Sequence, residues 1–350
     1  MKAAILEILN SPLIIDEVEL PTELQPGQVA VEVHYSGICG SQIGEIQGRK
    51  GPDAHLPHLL GHEGAGRVTA IGPGVTTVAP GDRVVMHWRP GSGIQAPCPT
   101  YRWQGRELNA GWVTTFNEAA VVSENRLTVL PDDFPMDLAP LLGCAVTTGL
   151  GVISNDARLK MGESLVIFGA GGVGLNMVQG GALASAWPVI AVDRFENRLE
   201  LARSLGATHV INSRTEPDVI DRIRDILDGA GADVVIDNTG NPQIMAQAYE
   251  LTDSRGRTIL VGVPPVGEKL AIHSLPLHFG RLLTGSHGGE SQPEFDIPRY
   301  IRLYRQGLLN LSGLITRRYS LDDINLALEH MANGQLAGRC LIEMPAARGE

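Results

Sequence analysis

The chain has 350 residues, with 28 Lys and Arg against 39 Asp and Glu and a formal net charge of -11. That length accommodates two domains of ordinary size, each with its own core. The acidic balance, and the lack of any Lys or Arg run long enough to track a phosphate backbone, exclude nucleic acid as an expected partner.

The amino-terminal stretch MKAAILEILNSPLIIDEVELP is interrupted by Glu7 and Asn10 and shows no small-residue cleavage site, so it reads as an opening hairpin rather than a leader. No segment offers the roughly 18 uninterrupted apolar residues of a membrane-spanning helix, and no membrane partner is expected. The cysteines, at 39, 98, 144 and 340, are too few and too dispersed for a disulfide framework. A cytoplasmic location, with thiols free for metal, is the expectation.

Up to about Asp133 short alternating segments such as QVAVEVHYSG, GAGRVTAIGPGV and GDRVVMHW are separated by Gly and Pro turns, the pattern of a mostly β domain. From about Gly162 apolar strands alternate with helices: SLVIFG, VGLNMVQGGALASA, PVIAVD, RLELARSLGA, THVIN, then ADVVIDN, RTILVGV and RLLTGS. That alternation gives an α/β class, a doubly wound parallel sheet. Helical stretches around PRYIRLYRQG and LDDINLALEHMANG and a closing strand RCLIEM complete the chain. The expected division is 1–150 for the first part of the β domain, 151–290 for the nucleotide-binding domain, and 291–350 for a return to the first.

FGAGGVG sets Gly169, Gly171 and Gly174 in a GxGxxG array directly after a strand and at the start of a helix. Such glycines allow a tight turn and close approach of backbone to a pyrophosphate, which the helix amino terminus stabilises; Gly172 and Val173 lie in the same turn. PVIAVD ends in Asp193, about 20 residues on, where an acid hydrogen-bonds an adenosine ribose. Its charge favours NAD over NADP, although Arg194 beside it is of the type that accommodates a 2′-phosphate. The plain alternative for Asp193 is a solvated loop acid.

Cys39, His62 and Cys144 lie in GICGSQ, GHEGAG and GCAVTTG. Two thiolates and an imidazole suit zinc and leave a fourth position open for a substrate oxygen, the mark of a catalytic rather than a structural site. Singly, each has a plainer reading: a buried small hydrophobe for either cysteine, a satisfied interior histidine for His62.

With GHEGAGRVTAIGPGV, PGDRVV, FGAGGVG and GRCLIEM in order, essentially the whole chain resembles the zinc-containing alcohol and polyol dehydrogenases of the medium-chain dehydrogenase/reductase superfamily. The resemblance implies a GroES-like catalytic domain holding zinc and a Rossmann domain binding NAD, with the active site in the cleft. It makes Cys39, His62 and Cys144 the zinc ligands, Glu63 an acid that approaches the metal, and Ser41 the hydroxyl that takes the substrate proton. It also makes Thr148 and Val263 nicotinamide neighbours, Trp88 a substrate-channel residue and Arg339 a group that meets the cofactor pyrophosphate, the alternative for Arg339 being a surface charge.

Three departures stand out. Gln42 replaces the aspartate that usually orients the zinc histidine, although its amide oxygen could still accept the imidazole hydrogen bond. Gly44 replaces a proton-shuttling histidine, leaving the cofactor ribose, water, His55 or His58 as routes. The lobe that in the family holds a structural zinc on four cysteines keeps only Cys98, with Ser92, Gln95 and Arg106 near the other positions. One thiolate cannot close a tetrahedral site, so no structural zinc is expected and Cys98 is read as a packing residue.

Trp88, Trp103 and Trp112, with Arg89, Tyr101, Arg102 and Arg106, cluster in or beside that lobe. They suggest a polyol, sugar or cyclitol-like secondary alcohol, unless they simply pack the lobe in place of its metal. The expected reaction is NAD-linked oxidation of such an alcohol to a ketone, or the reverse. The rivals are a zinc-free quinone or enoyl reductase of the same superfamily and a non-catalytic NAD-binding protein. A homodimer or homotetramer built through RTILVGV or RLLTGS as edge strands is expected.

Overall fold

The computed structural model describes residues 1–349. Its internal contacts divide the chain into two compact units, Met1–Ala145 with the chain from Gln292 onward, and Val146–Ser291.

The first unit is built around the strand Gln28–Gly37. Its alternation puts Val29, Val31 and Val33 into an apolar core with Val68, Val84 and Met86, while Glu32 points outward. The strand pairs antiparallel with Gly64–Ile71, Ala119–Ser123 and Arg339–Glu343. The last of these brings the carboxy-terminal segment home, setting Leu341 opposite Gly37. Lys2–Leu6 and Ile14–Glu17 form the opening hairpin, and Lys2–Leu6 also pairs with His58–Leu59.

Tyr101–Trp103 and Arg106–Leu108 form a short antiparallel hairpin. Its inward residues Tyr101, Trp103 and Leu108 join Ala3, Ile5 and Val121 in a second apolar cluster. The polar tips are satisfied: Tyr101 Oη accepts from Val121 N at 2.7 Å and Trp103 Nε1 donates to Asp16 Oδ2 at 2.8 Å. Arg106 lies over the Trp103 ring at 4.4 Å and pairs with Glu7. Cys98 is not a packing residue as the sequence suggested; its short connecting loop leaves it exposed.

The second unit is a six-stranded parallel sheet in the order His209–Asn212, Val189–Asp193, Leu165–Phe168, Ala232–Asp237, Thr252–Leu260, Leu282–Gly285. In chain order this is 3-2-1-4-5-6, the dinucleotide-binding arrangement with its reversal of direction between the first and fourth strands. RTILVGV is therefore interior and not an edge segment. Its continuous apolar run is what a parallel strand covered on both faces requires. The edges are His209–Asn212 and Leu282–Gly285.

Among the described residues no single helix is long and apolar enough to cross a membrane.

Candidate functional site

Three turns of the first unit converge on one point. Cys39 caps the helix Gly40–Ile46 directly beyond the central strand, His62 sits in the turn before Gly64–Ile71, and Cys144 links the helices Ala139–Leu142 and Ala145–Gly151. The turn before His62 depends on Gly61, whose φ is +90° and whose missing Cβ would fall 2.3 Å from Thr115 Oγ1. Any side chain there would push the histidine out of place.

The ligand atoms of Cys39, His62 and Cys144 lie within 4.8 Å of one another, and the two sulfurs are 3.9 Å apart. Two thiolates at the usual Zn–S distance of about 2.3 Å in a tetrahedron stand about 3.8 Å apart, so the sulfur pair has the spacing that zinc requires. The hydrogen bond from Cys144, helped by the charges of Arg339 and His62, holds the Cys39 thiol well below its ordinary range. The same bond, with burial, pushes Cys144 up. A sulfur pair sharing one proton in this way is the ligand set from which a dication displaces the remaining proton.

Behind the sulfurs stand Glu63 and Arg339, both buried. Arg339 Nη1 donates to Ile38 O at 2.9 Å, lies 3.6 Å from Glu63 Oε1, and Nη2 lies 3.9 Å from Cys39 Sγ. Burial pushes the Glu63 carboxyl up to about 7, with Arg339 pulling the other way, and both its oxygens lack hydrogen-bond partners. Arg339 is thus no surface charge. The closing strand delivers it to the metal centre, a position no local sequence signal marks because it depends on pairing across 300 residues.

Other expected residues fall in varied places. Ser41 is exposed in the first turn after Cys39. Gln42 is buried, but its Oε1 accepts from Gly61 N at 2.5 Å and its Nε2 donates to Glu45 at 3.1 Å. The amide oxygen therefore steadies the His62 turn rather than accepting from the imidazole. His58 uses both ring nitrogens, on Leu59 O and Asp53 Oδ2 at 2.9 Å each, and is no proton shuttle; His55 is exposed. Trp88 is half-buried and its backbone N donates to Gly143 O at 3.4 Å, next to Cys144.

In the second unit the glycine loop has the form that a pyrophosphate needs. A Cβ on Gly174 would fall 1.9 Å from Gly169 O, whereas one on Gly171 would meet nothing within 4 Å. The first glycine is required by packing; the second is open toward a ligand. Gly171 caps the helix Gly172–Leu183 and offers no side-chain acceptor to its first turn, where Val173 lies. Asp193 is buried, not a solvated loop acid, and accepts from Ala170 N at 2.8 Å. Thr148 Oγ1 is buried without a partner, and Val263 is 78 % exposed.

Sequence reasoning passed over Asp237 and Arg198. Asp237 ends the fourth strand and holds the next turn through Thr239 Oγ1 at 2.6 Å and Gly240 N at 3.1 Å, a role signalled by an acid closing an apolar run before a Thr-Gly turn. Arg198 lies 3.7 Å from Asp193 Oδ2.

Comparison with known proteins agrees with this geometry. The alcohol dehydrogenase GroES-like domain family matches residues 25–132 and the zinc-binding dehydrogenase family residues 172–304. An S-(hydroxymethyl)glutathione dehydrogenase of Paracoccus denitrificans is 32 % identical over 95 % of this chain and 97 % of its own. A solved zinc-binding-domain alcohol dehydrogenase of Burkholderia ambifaria superposes with a TM-score of 0.88 at 31 % identity, covering 98 % of each chain. The benzyl alcohol dehydrogenase of Acinetobacter calcoaceticus superposes at 0.87 with 29 % identity, covering 98 % of this chain and 99 % of its own. With two thiolates and an imidazole poised for zinc in a GroES-like unit and a glycine loop on a Rossmann sheet, the chain belongs to the zinc-containing alcohol dehydrogenases of the medium-chain dehydrogenase/reductase superfamily.

Proposed function

We propose that the protein oxidises an alcohol to its carbonyl compound, or reduces it back, with one catalytic zinc and NAD(H). The observation that carries this reading is the 3.9 Å sulfur pair with His62 inside the same 4.8 Å cluster. Bound zinc acts there as a Lewis acid that lowers the pKa of the substrate hydroxyl.

The chain's own residues do the rest. Cys39, His62 and Cys144 hold the metal and leave one position for substrate. Ser41, exposed beside Cys39, accepts the hydroxyl proton and passes it to solvent, which offsets the missing histidine at Gly44. Arg339 keeps a positive charge beside the thiolates, against its burial, because Glu63 and the two cysteines surround it. In the second unit the Gly169–Gly174 loop receives the cofactor pyrophosphate, and Asp193 meets the adenosine ribose. Thr148 brings an unpaired hydroxyl, and Val263 an exposed apolar surface, to the nicotinamide end. A nicotinamide held there would supply the hydride-accepting chemistry.

The relatives' names cover S-(hydroxymethyl)glutathione and benzyl alcohol. Tyr101 and Trp103 are core residues rather than pocket walls and so give a polyol preference no support, while the name of another similar protein covers 2R,3R-butanediol. Trp88, placed beside Cys144, remains the residue that shapes the substrate channel. The lobe packed by Tyr101 and Trp103 takes no second zinc.

A homodimer forms through the Leu282–Gly285 edge, flanked by exposed Leu275, Phe279 and Leu282. The catalytic reading is tested by a panel of primary, secondary and polyhydric alcohols with NAD+, following NADH absorbance. Zinc-dependent turnover supports it; no turnover with any alcohol or carbonyl partner by the zinc-loaded protein contradicts it.

A further inference from the structure

Arg126 is a buried cation without a counter-ion. Only 5 % of it is exposed, and among the described residues no carboxylate stands in ion-pair range of its guanidinium. Nη2 donates to Gln95 Oε1 at 3.0 Å, while Nη1 is buried with no hydrogen-bond partner. Burial, and then the charge of Arg89, push the pKa of Arg126 down, with the Cys98 thiol pulling the other way. Neighbouring acids are engaged elsewhere: Glu124 accepts from Thr76 N, Thr77 N and Ile94 N, and Glu294 from Ser92 Oγ. An ion withdrawn from water and left unpaired is strongly destabilising, so a chain that holds one firmly calls for an anion from outside it.

Arg126 is held firmly. His87 N donates to Arg126 O at 3.0 Å, Gly91 N to Asn125 O at 2.7 Å, and Asn125 Nδ2 to Gln95 Oε1 at 3.1 Å, which laces the loop 87–95 to residues 125–126. Trp112 covers the guanidinium from a third segment, its ring centroid 5.2 Å from the central carbon. That ring is 46 % exposed, so turning it aside gives solvent a path to the cation while the backbone bonds stay in place. In the same loop Trp88 N donates to Gly143 O at 3.4 Å, next to Cys144, which joins the cation to the metal cluster through consecutive residues. A planar guanidinium with one nitrogen already on an amide and the other unused matches a single planar monoanion, a carboxylate.

We propose that Arg126, under Trp112, is a binding site for one small carboxylate, either free in solution or carried by the alcohol substrate. The second source rests on the dehydrogenase reading; the first does not.

The test has a binding arm and a turnover arm, each on the zinc-loaded wild type, R126M and R126K. In the first, tryptophan fluorescence is followed during titration with sodium acetate at constant ionic strength. Acetate should bind the wild type, about tenfold or more weaker to R126M, and within about threefold of wild type to R126K, which keeps the charge. No saturable binding to the wild type, or equal binding to R126M, overturns the site. In the second arm kcat/KM is compared for benzyl alcohol and 4-(hydroxymethyl)benzoate. A wild-type preference for the benzoate that R126M loses identifies the anion as the substrate's own; acetate binding without that preference identifies it as a free ligand, and both support the site. No turnover of either alcohol counts against the dehydrogenase reading and leaves acetate binding to decide the site.

Discussion

Arg339 and Glu63 are a buried charge pair whose value lies in being kept together. They are 3.6 Å apart, and both are almost wholly shielded from water. Removing one partner of such a pair costs about 3–5 kcal/mol, whereas replacing both with neutral groups of similar volume costs far less. Arg339→Met alone should therefore lower stability by that order, and Glu63→Gln with Arg339→Met should recover most of it in urea unfolding. Equal losses in the single and double variants would mean that the pairing contributes nothing.

His87 makes a second residue-scale prediction. Burial lowers its pKa from 6.5 to about 4, and its ring nitrogens lie 2.7 Å from Arg89 O and 3.0 Å from Thr128 Oγ1. The unfolded chain binds a proton that the folded one refuses. Stability is therefore complete above pH 6.5 and falls as the pH drops toward 4, by roughly 3 kcal/mol in all. His87→Gln should flatten that part of the melting-temperature profile; an unchanged slope would contradict the assignment.

At the scale of elements, the glycine loop separates packing from binding within one motif. Gly174→Ala drives a methyl into Gly169 O and should destabilise the second unit, while Gly171→Ala meets nothing and should leave the melting temperature in place. The Gly171 methyl instead occupies the open side of the loop, so NAD+ affinity should fall about tenfold or more by titration. Equal effects of the two substitutions on melting would refute the distinction.

Element identity was largely legible in the sequence for a physical reason. Alternation in QVAVEVHYSG and continuous apolar runs in SLVIF and ADVVID are dictated by which faces are covered. The three residues of the candidate metal cluster stand in the sequence motifs GICGSQ, GHEGAG and GCAVTTG, and the fold brings their ligand atoms within 4.8 Å of one another. What could not be read were pairings made across the chain: RTILVGV as an interior strand, Gln42 turned to Gly61 N, Arg339 behind the sulfurs, and Gln95 turned to Arg126. Each is fixed by tertiary packing, which single-residue types do not encode. The lobe around Trp103 shows the same limit, since its aromatic residues suit a binding pocket and a core equally well until their burial is known.

At the scale of the whole molecule, the sheet of the second unit ends in Leu282–Gly285, with backbone groups unpaired on one side and Phe279 74 % exposed nearby. Light scattering should give the mass of a dimer or its multiple, and Phe279→Asp with Leu275→Asp should shift it to the monomer. A monomeric wild type would contradict the edge-to-edge assembly.

The proposed chemistry depends on the metal. The most direct measurement is metal analysis combined with zinc-edge X-ray absorption on the purified protein and on Cys39→Ser. About one zinc per chain bound by two sulfurs and a histidine nitrogen is predicted, with zinc and alcohol turnover lost together in the variant. A protein that turns over alcohols with no zinc bound, or whose zinc has no sulfur neighbours, would contradict it.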